Sequence, residues 1–266
     1  MSYNVKGISP TLLKVAFELR YRHGYTFLDR CGRTINEIQE YYPDWVVGQA
    51  GPQSGGLLNV QSGAKFNFSN AKLDLGIDQS PRGDAINEGK LTVFSKEAEE
   101  LTAIVIDQLG LSEFSRIGCR AWYLFAAESM EGAYEFLRSL EIYPVSKKLI
   151  DALSGEELGA SHAAIISGKD RMFRVGLDAA ERAIEVDLGD AVANIPIHSL
   201  PSKDRRDALV RQERLRAQGK RNPLYAAVID VDAYREEPPP KLEAREFIES
   251  SLATVEELLQ RLGKPE

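Results

Sequence analysis

The chain lacks several features that would point to a known class of protein. Its 266 residues include only two cysteines, Cys31 and Cys119, which excludes a disulfide scaffold and a zinc site with four cysteine ligands. No apolar run reaches the length of a membrane span. The first residues carry no apolar signal segment, and we therefore expect a cytoplasmic protein. G-x-S-x-G, P-loop and H-E-x-x-H motifs are also missing.

The residues that are present have the composition of a folded globular protein. Hydrophobic residues make up 43% of the chain and charged residues 27%, which excludes general disorder. The net charge of −7 argues against a protein dedicated to coating nucleic acid. The length allows one large domain or two small ones.

An internal repeat organises the chain. In the segment 58–78, Ser62–Gly63 is followed by two alternating strands, and the same order recurs after Ser167–Gly168 in the segment 163–190. The strand VAFELRYRH (15–23) alternates apolar with charged residues, and RIGCRAWYLFA (116–126) likewise places apolar residues at every second position. Such alternation is typical of a half-buried strand.

Further elements follow these strands in a matching order. Thr26 and Ser129 are the predicted N-caps of two helices. After them, apolar residues recur at helical spacing, namely Leu28, Cys31, Ile35 and Ile38, and then Met130, Ala133, Leu137 and Leu140. We expect each unit to end in a strand and a helix. In the first unit the strand is Lys90–Phe94, and the helix after it is capped by Ser95 and ends at Leu109–Gly110. In the second unit the strand is Tyr225–Asp232, and the helix after it ends at Leu262–Gly263.

The elements predict an α+β protein made of two tandem strand–helix–(three or four strands)–helix units, 1–112 and 113–266. If the units join through their first strands, they form one antiparallel curved sheet with the helices on one face. The opposite face would be polar. This order looks like the TATA-box-binding-protein-like topology, an analogy that does not carry over DNA binding.

Three strands also resemble a sporadically distributed bacterial family of uncharacterised proteins. They are VAFELRY (15–21), RIGCRAWY (116–123) and the late D-x-D strand YAAVIDVDAY (225–234). Ala121–Trp122 stands where that family more often has an aromatic residue directly after the arginine. The resemblance implies no established activity. The sporadic distribution of the family implies a mobile-element, toxin–antitoxin or phage-defence setting.

The polar face carries the first group of candidate partner contacts. By strand alternation, the outward residues include Arg20, Arg22, Arg120, Trp122 and Arg174. Tryptophan and arginine are favoured in protein interfaces. The alternative is that Trp122 lies under a loop and the charges only keep the sheet soluble.

A basic helical insertion at about 189–224 carries the second group. Within 202–222, eight basic residues stand against three acidic ones, and the candidate contacts are Arg205, Arg206, Arg211 and Arg214. Three interpretations remain open. The segment contacts phosphates, docks on an acidic protein or another copy of the chain, or is a solvated helix.

Two aspartates raise the question of a metal. Asp230 and Asp232 share one face of a strand, and such a pair suits a hard cation. Asp74, Asp78, Glu185 and Asp187 are also expected on outward positions. Alternating acids are equally typical of a solvated sheet face. The three histidines, His23, His162 and His198, lie outside recognisable motifs, and both cysteines fall on apolar faces.

We therefore expect binding rather than catalysis, with no catalytic residue, metal or cofactor. The predicted partner is a protein, contacted through the polar sheet face and the basic insertion, and self-association is left open. Two alternatives remain. The first is a nucleic-acid-binding protein that uses the insertion, and the second is a divalent-metal-dependent hydrolase or nuclease that uses the sheet-face aspartates.

Overall fold

A computed structural model describes residues 4–79, 86–142, 162–182 and 224–263, which form nine β-strands and four α-helices. The first elements are β1 (Thr11–Tyr21), α1 (Phe27–Tyr41), β2 (Trp45–Ala50), β3 (Ser54–Asn59), β4 (Lys65–Ser69), β5 (Lys72–Asp78) and α2 (Glu88–Leu109). They are followed by β6 (Phe114–Ala127), α3 (Met130–Ser139), β7 (His162–Ser167), β8 (Met172–Arg182), β9 (Leu224–Glu236) and α4 (Ala244–Leu262).

All nine strands belong to one antiparallel sheet. Their order is β2-β3-β4-β5-β1-β6-β9-β8-β7. The central pair, β1 and β6, aligns Glu18 with Gly118 and Arg20 with Arg116. The predicted α+β class with a single antiparallel sheet is confirmed.

The sheet has one apolar face and one polar face. On β1 the side chains of Val15, Phe17 and Leu19 are buried, and the residues between them point the other way because side chains alternate along a strand. All four helices contribute to the same core as these residues, through Ile38, Leu101, Phe136 and Ile248. The helices therefore pack on the apolar face of the sheet.

The helix starts confirm one predicted cap and correct another. The Ser129 hydroxyl accepts a hydrogen bond from the Gly132 N–H at 3.0 Å and caps α3. Thr26 also precedes its helix, but its hydroxyl donates to the Leu109 carbonyl at 2.6 Å and does not cap α1. Leu28 is 67% exposed, so the prediction that it belongs to the apolar stripe of α1 is wrong.

The strand predicted at Lys90–Phe94 is wrong. Helix α2 begins at Glu88, and the Asn87 side chain caps it by accepting from the Lys90 N–H at 2.9 Å. Ser95 is therefore a buried residue inside the helix and not its cap. The cap and the long amphipathic segment after it outweigh the local strand preference of Thr92, Val93 and Phe94.

Other predicted elements are found where they were expected. The Ser62–Gly63 turn connects β3 with β4, and in the second half Ser167 ends β7 and Gly168 follows it in the connection to β8. Residues Tyr225–Asp232 are part of β9. The second alternating strand predicted after Ser167, with Ile184, Val186 and Leu188, lies outside the described residues. No helix in the described ranges is long and apolar enough to cross a membrane.

Candidate functional site

The charged residues of the sheet gather on the five strands around its centre. We call this surface the polar face and define it by its outward residues. They are Lys72, Asp74 and Asp78 of β5, Lys14, Glu18 and Arg20 of β1, Arg116, Arg120 and Trp122 of β6, Asp230, Asp232, Tyr234 and Glu236 of β9, and Arg174 and Asp178 of β8.

Strand register brings these residues together from distant parts of the chain. Arg120 lies opposite Asp232, and Trp122 lies opposite Asp230. Arg174 is the neighbour of Asp232 on its other side. Because neighbouring strands are about 5 Å apart, long side chains of one strand reach the residues of the next strands.

Arg116 connects the three central strands of the face. One of its terminal nitrogens donates to Glu18 at 2.8 Å and the other to Asp232 at 2.7 Å. The guanidinium carbon lies 4.7 Å from the centre of the Tyr234 ring. Gly118 leaves space beside it, since a Cβ at that position would be 3.5 Å from the guanidinium. Arg116 is therefore held on both sides and is mostly buried.

A second cluster surrounds Asp230. The Arg120 Nε donates to Asp230 Oδ1 at 2.8 Å, and a terminal nitrogen of the same guanidinium donates to Oδ2. Arg174 approaches Oδ2 to 3.6 Å. The Arg120 guanidinium also lies 4.4 Å from the ring centre of Trp122, and the Lys14 ammonium lies 5.4 Å from it. Trp122 is half-buried between these two cations.

A third cluster is built around Glu18. Its carboxylate accepts from Arg20 Nε at 2.7 Å and from Lys72 Nζ at 3.3 Å, in addition to Arg116. Lys72 also lies 3.1 Å from Asp74. Partial burial acts to raise the pKa of Glu18, but hydrogen bonds and charge from Arg20 and Lys72 outweigh it and leave the pKa below its usual value.

Asp232 shows the opposite balance. Burial raises the pKa of its carboxyl group above the usual value, although the charge and the hydrogen bond of Arg116 act in the other direction. The fold thus keeps the Asp232 carboxylate largely out of water, where Arg116 stabilises its charge. Asp232 in turn positions the Arg116 guanidinium.

The structure brings three of the predicted contact residues into one cluster. Arg120 and Arg174 both reach Asp230, and Trp122 lies against Arg120. Arg20 lies elsewhere on the same face. Arg22 is beyond the end of β1, where its exposed side chain is 3.7 Å from Glu237. Arg20, Arg22 and Arg116 line a shallow cleft of about 390 Å³ there. Arg205, Arg206, Arg211 and Arg214 of the basic insertion lie outside the described residues.

The aspartates considered for a metal site are engaged by arginines. Asp230 and Asp232 do lie on one face, but Arg120 binds both oxygens of the first and Arg116 binds the second. A cation would have to displace these guanidinium groups. Within the described ranges, no group of three histidine, cysteine, aspartate or glutamate residues is placed to hold a metal ion. Glu185 and Asp187 lie outside those ranges.

The histidines and cysteines give no nucleophile and base arrangement among the described residues. Cys119 is buried as expected, and burial raises the pKa of its thiol to about 12. Cys31 is partly buried, and burial raises the pKa of its thiol as well. His23 is exposed and lies 3.7 Å from Glu113. His198 is not among the described residues.

Sequence reasoning missed several members of the site. Lys14, Lys72 and Tyr234 belong to the polar face, and their outward positions follow from the same alternation that selected Arg20 and Trp122. Ile165 of β7 was also missed. It pairs with Arg174 and is 67% exposed, so it adds an apolar side chain next to the arginine cluster.

Comparison with known proteins finds no matching family model, no matching curated protein and no matching solved structure. The resemblance of three strands to a bacterial family therefore stays a prediction.

Proposed function

We propose that the protein is a non-catalytic binding protein that recognises a protein partner through the polar face. The observation that carries this proposal is the cluster of Arg120, Trp122 and Arg174. Asp230 holds the two arginines, while all three side chains keep part of their surface in solvent.

Fixed arginine and tryptophan side chains suit recognition. A free arginine loses rotamer freedom when it binds, which reduces affinity. The two hydrogen bonds from Arg120 to Asp230 impose that order before any partner arrives. Arginine and tryptophan are also the residues that most often dominate the binding energy of protein interfaces. The exposed Ile165 extends this cluster with apolar surface.

The chemistry of the face supports binding over catalysis. If carboxylates of this face served in acid–base or metal-assisted catalysis, they would have to be free to take a proton or an ion. The carboxylates at the centre of the polar face, Glu18, Asp230 and Asp232, all accept hydrogen bonds from arginine. Their arrangement serves to hold cations in place.

The experiment is an affinity capture that compares matched variants. Immobilised wild-type protein and a triple variant, Arg120→Ala, Trp122→Ala and Arg174→Ala, are incubated with lysate of the native host. The control is the double variant Arg33→Ala and Asn36→Ala, at exposed positions of α1 on the helix side. Thermal unfolding of all three establishes that they are folded.

We expect a protein that the wild type and the control retain and that the triple variant loses at least about tenfold. Calorimetry with the purified pair then measures the interaction directly. Two results would overturn the proposal. One is retention of the same proteins by all variants. The other is co-purification of nucleic acid that depends on Arg205, Arg211 and Arg214, which would support the alternative function of the basic insertion.

A further inference from the structure

Five of the six cations of the polar face are more exposed than the carboxylates at its centre, and the sixth, Arg116, is as buried as those carboxylates. The side chains of Lys14, Arg20, Lys72, Arg120 and Arg174, here called the outer cations, are between 40% and 51% exposed. Glu18, Asp74, Asp230 and Asp232 are only between 15% and 32% exposed. The face therefore has a layer of carboxylates below and a layer of cations above.

Three acids depart from this arrangement and are exposed. Asp78 is the last residue of β5 and is 54% exposed beside Lys14. Glu236 is the last residue of β9, and Asp178 lies on β8. The cluster of Arg120, Trp122 and Arg174 spans the strands from β6 to β8, with β7 between it and the nearer edge of the sheet, and keeps its carboxylate, Asp230, underneath. A charged group that approaches the centre of the face therefore meets guanidinium and ammonium groups first.

From this layering we propose that the partner is acidic, with carboxylate side chains that contact the outer cations and an apolar residue that covers Trp122. This inference rests on the proposed function and states the chemistry of its partner. Arginine binds carboxylates through a planar fork of N–H donors. Because Asp230 and Glu18 hold the arginines from below, the outward edges of the guanidinium groups are already oriented.

The same layering disfavours a polyphosphate partner on this face. Nucleic acids gain much of their affinity when phosphates exchange condensed counterions for protein cations. A DNA duplex is stiff, so its regularly spaced phosphates would lie over the exposed acids of this face as well as over the outer cations. Glutamate side chains move separately and can each contact an outer cation away from those acids, which gives complementary charge.

The test uses Trp122 as a local reporter. The chain contains two tryptophans, and the other, Trp45, is buried in the core. The full-length protein is titrated at low salt with an octa-glutamate peptide, an octa-serine peptide and a short DNA duplex, and tryptophan fluorescence is recorded. The variant Trp122→Phe identifies the part of the signal that comes from the polar face.

We expect a saturable change with octa-glutamate that salt weakens, and no change with octa-serine. Arg174→Glu lowers the affinity for octa-glutamate by about tenfold or more, and Arg174→Ala lowers it less, because charge reversal adds repulsion. The control Arg33→Glu on α1 leaves it unchanged within about twofold.

Three results would overturn the inference: no saturable change with octa-glutamate, tighter binding of the duplex at the same salt, or equal affinity in Arg174→Glu. The two proposals fail separately. If a captured protein depends on the polar face but octa-glutamate does not compete with it, the acidic chemistry is wrong and the binding role stands. If no captured protein depends on the face, the binding role itself fails.

Discussion

The two halves of the sheet differ in what fills their interior. In the first half, β1 to β5 with α1 and α2, aromatic rings dominate the core, and six of them are fully buried, namely Phe17, Phe27, Trp45, Phe66, Phe68 and Phe94. In the described part of the second half, Phe125 is the largest side chain buried to that degree. Small residues such as Ala121, Ala227 and Ala233 line the apolar face of its strands.

The halves also differ on the polar face. In the first half, two lysines pair with acids of β5, Lys14 with Asp78 and Lys72 with Asp74, next to the pair of Arg20 with Glu18. Arginine supplies the pairs of the second half, where Arg116 and Arg120 each make two hydrogen bonds to carboxylates. Lysine is a flexible point charge, whereas arginine is a rigid fork of donors. We therefore expect the first half to contribute more of the packing stability and the second half to contribute more of the recognition chemistry.

Truncation of a buried side chain should have the largest effect on stability and should differ most between the two halves. Phe66 contacts the rings of Trp45 and Phe68, with centroids 6.3 Å and 6.0 Å apart. Phe66→Ala should lower the free energy of unfolding by about 3–5 kcal/mol because it removes a buried ring and leaves a cavity. Ala227→Gly, at a fully buried position of β9, should cost about 0.5–1 kcal/mol.

Urea unfolding of both variants at pH 7 measures these costs. If Phe66→Ala lowers the free energy of unfolding no more than Ala227→Gly does, the first half does not carry the larger share of the stability.

Removal of a cation tests the difference between arginine and lysine. Arg116→Ala should destabilise the protein by about 1–3 kcal/mol, because Asp232 stays buried without its charged donor. The pKa of Asp232, already raised by burial, should rise further. Lys14→Ala should cost less than about 1 kcal/mol, since Lys14 and Asp78 are both about half-exposed. The same urea experiment compares them, and an Arg116→Ala cost no larger than that of Lys14→Ala contradicts the distinction.

The smallest expected effect concerns pH. The pKa of Glu18 is lowered in the folded protein from the ordinary value of 4.5, so Glu18 contributes stability above that value and loses the contribution as the pH falls through its folded pKa. Glu18→Gln should therefore cost up to about 1 kcal/mol at pH 7. Its stability should approach that of the wild type when the solution is acidified below the folded pKa. A difference that stays constant or grows on acidification would show that Glu18 acts through packing.

Much of the fold could be predicted from the sequence because its signals are local. Alternation in β1 and β6 placed Phe17 and Cys119 inside and Arg20 and Trp122 outside, since a strand shows its two faces directly in its sequence. Ser129 marked the start of α3 because a helix cap is also a local signal, in which the side chain binds an N–H three residues later. The matching order of elements in the two halves fits the predicted repeat, which stays a prediction.

The errors and omissions also have physical causes. Lys90–Phe94 has the local composition of a strand, and the Asn87 cap with the long helix after it overrides that preference. The ion pairs of the site could not be predicted at all. Arg116 meets a glutamate 98 residues away and an aspartate 116 residues away, and such partners depend on which strands pair and in what register.

The central pairing of β1 with β6 has a consequence for synthesis. The chain leaves the ribosome from its N-terminus at about 5–20 residues per second, so β1 is complete several seconds before β6 exists. Once β5 has been made it can pair with one side of β1, and the other side stays an open edge until β6 arrives. Lys14, Glu18 and Arg20 lie on this edge strand, and charged side chains discourage pairing with strands of other nascent chains. We therefore expect residues that later hold the polar face together to protect the half-made protein from aggregation.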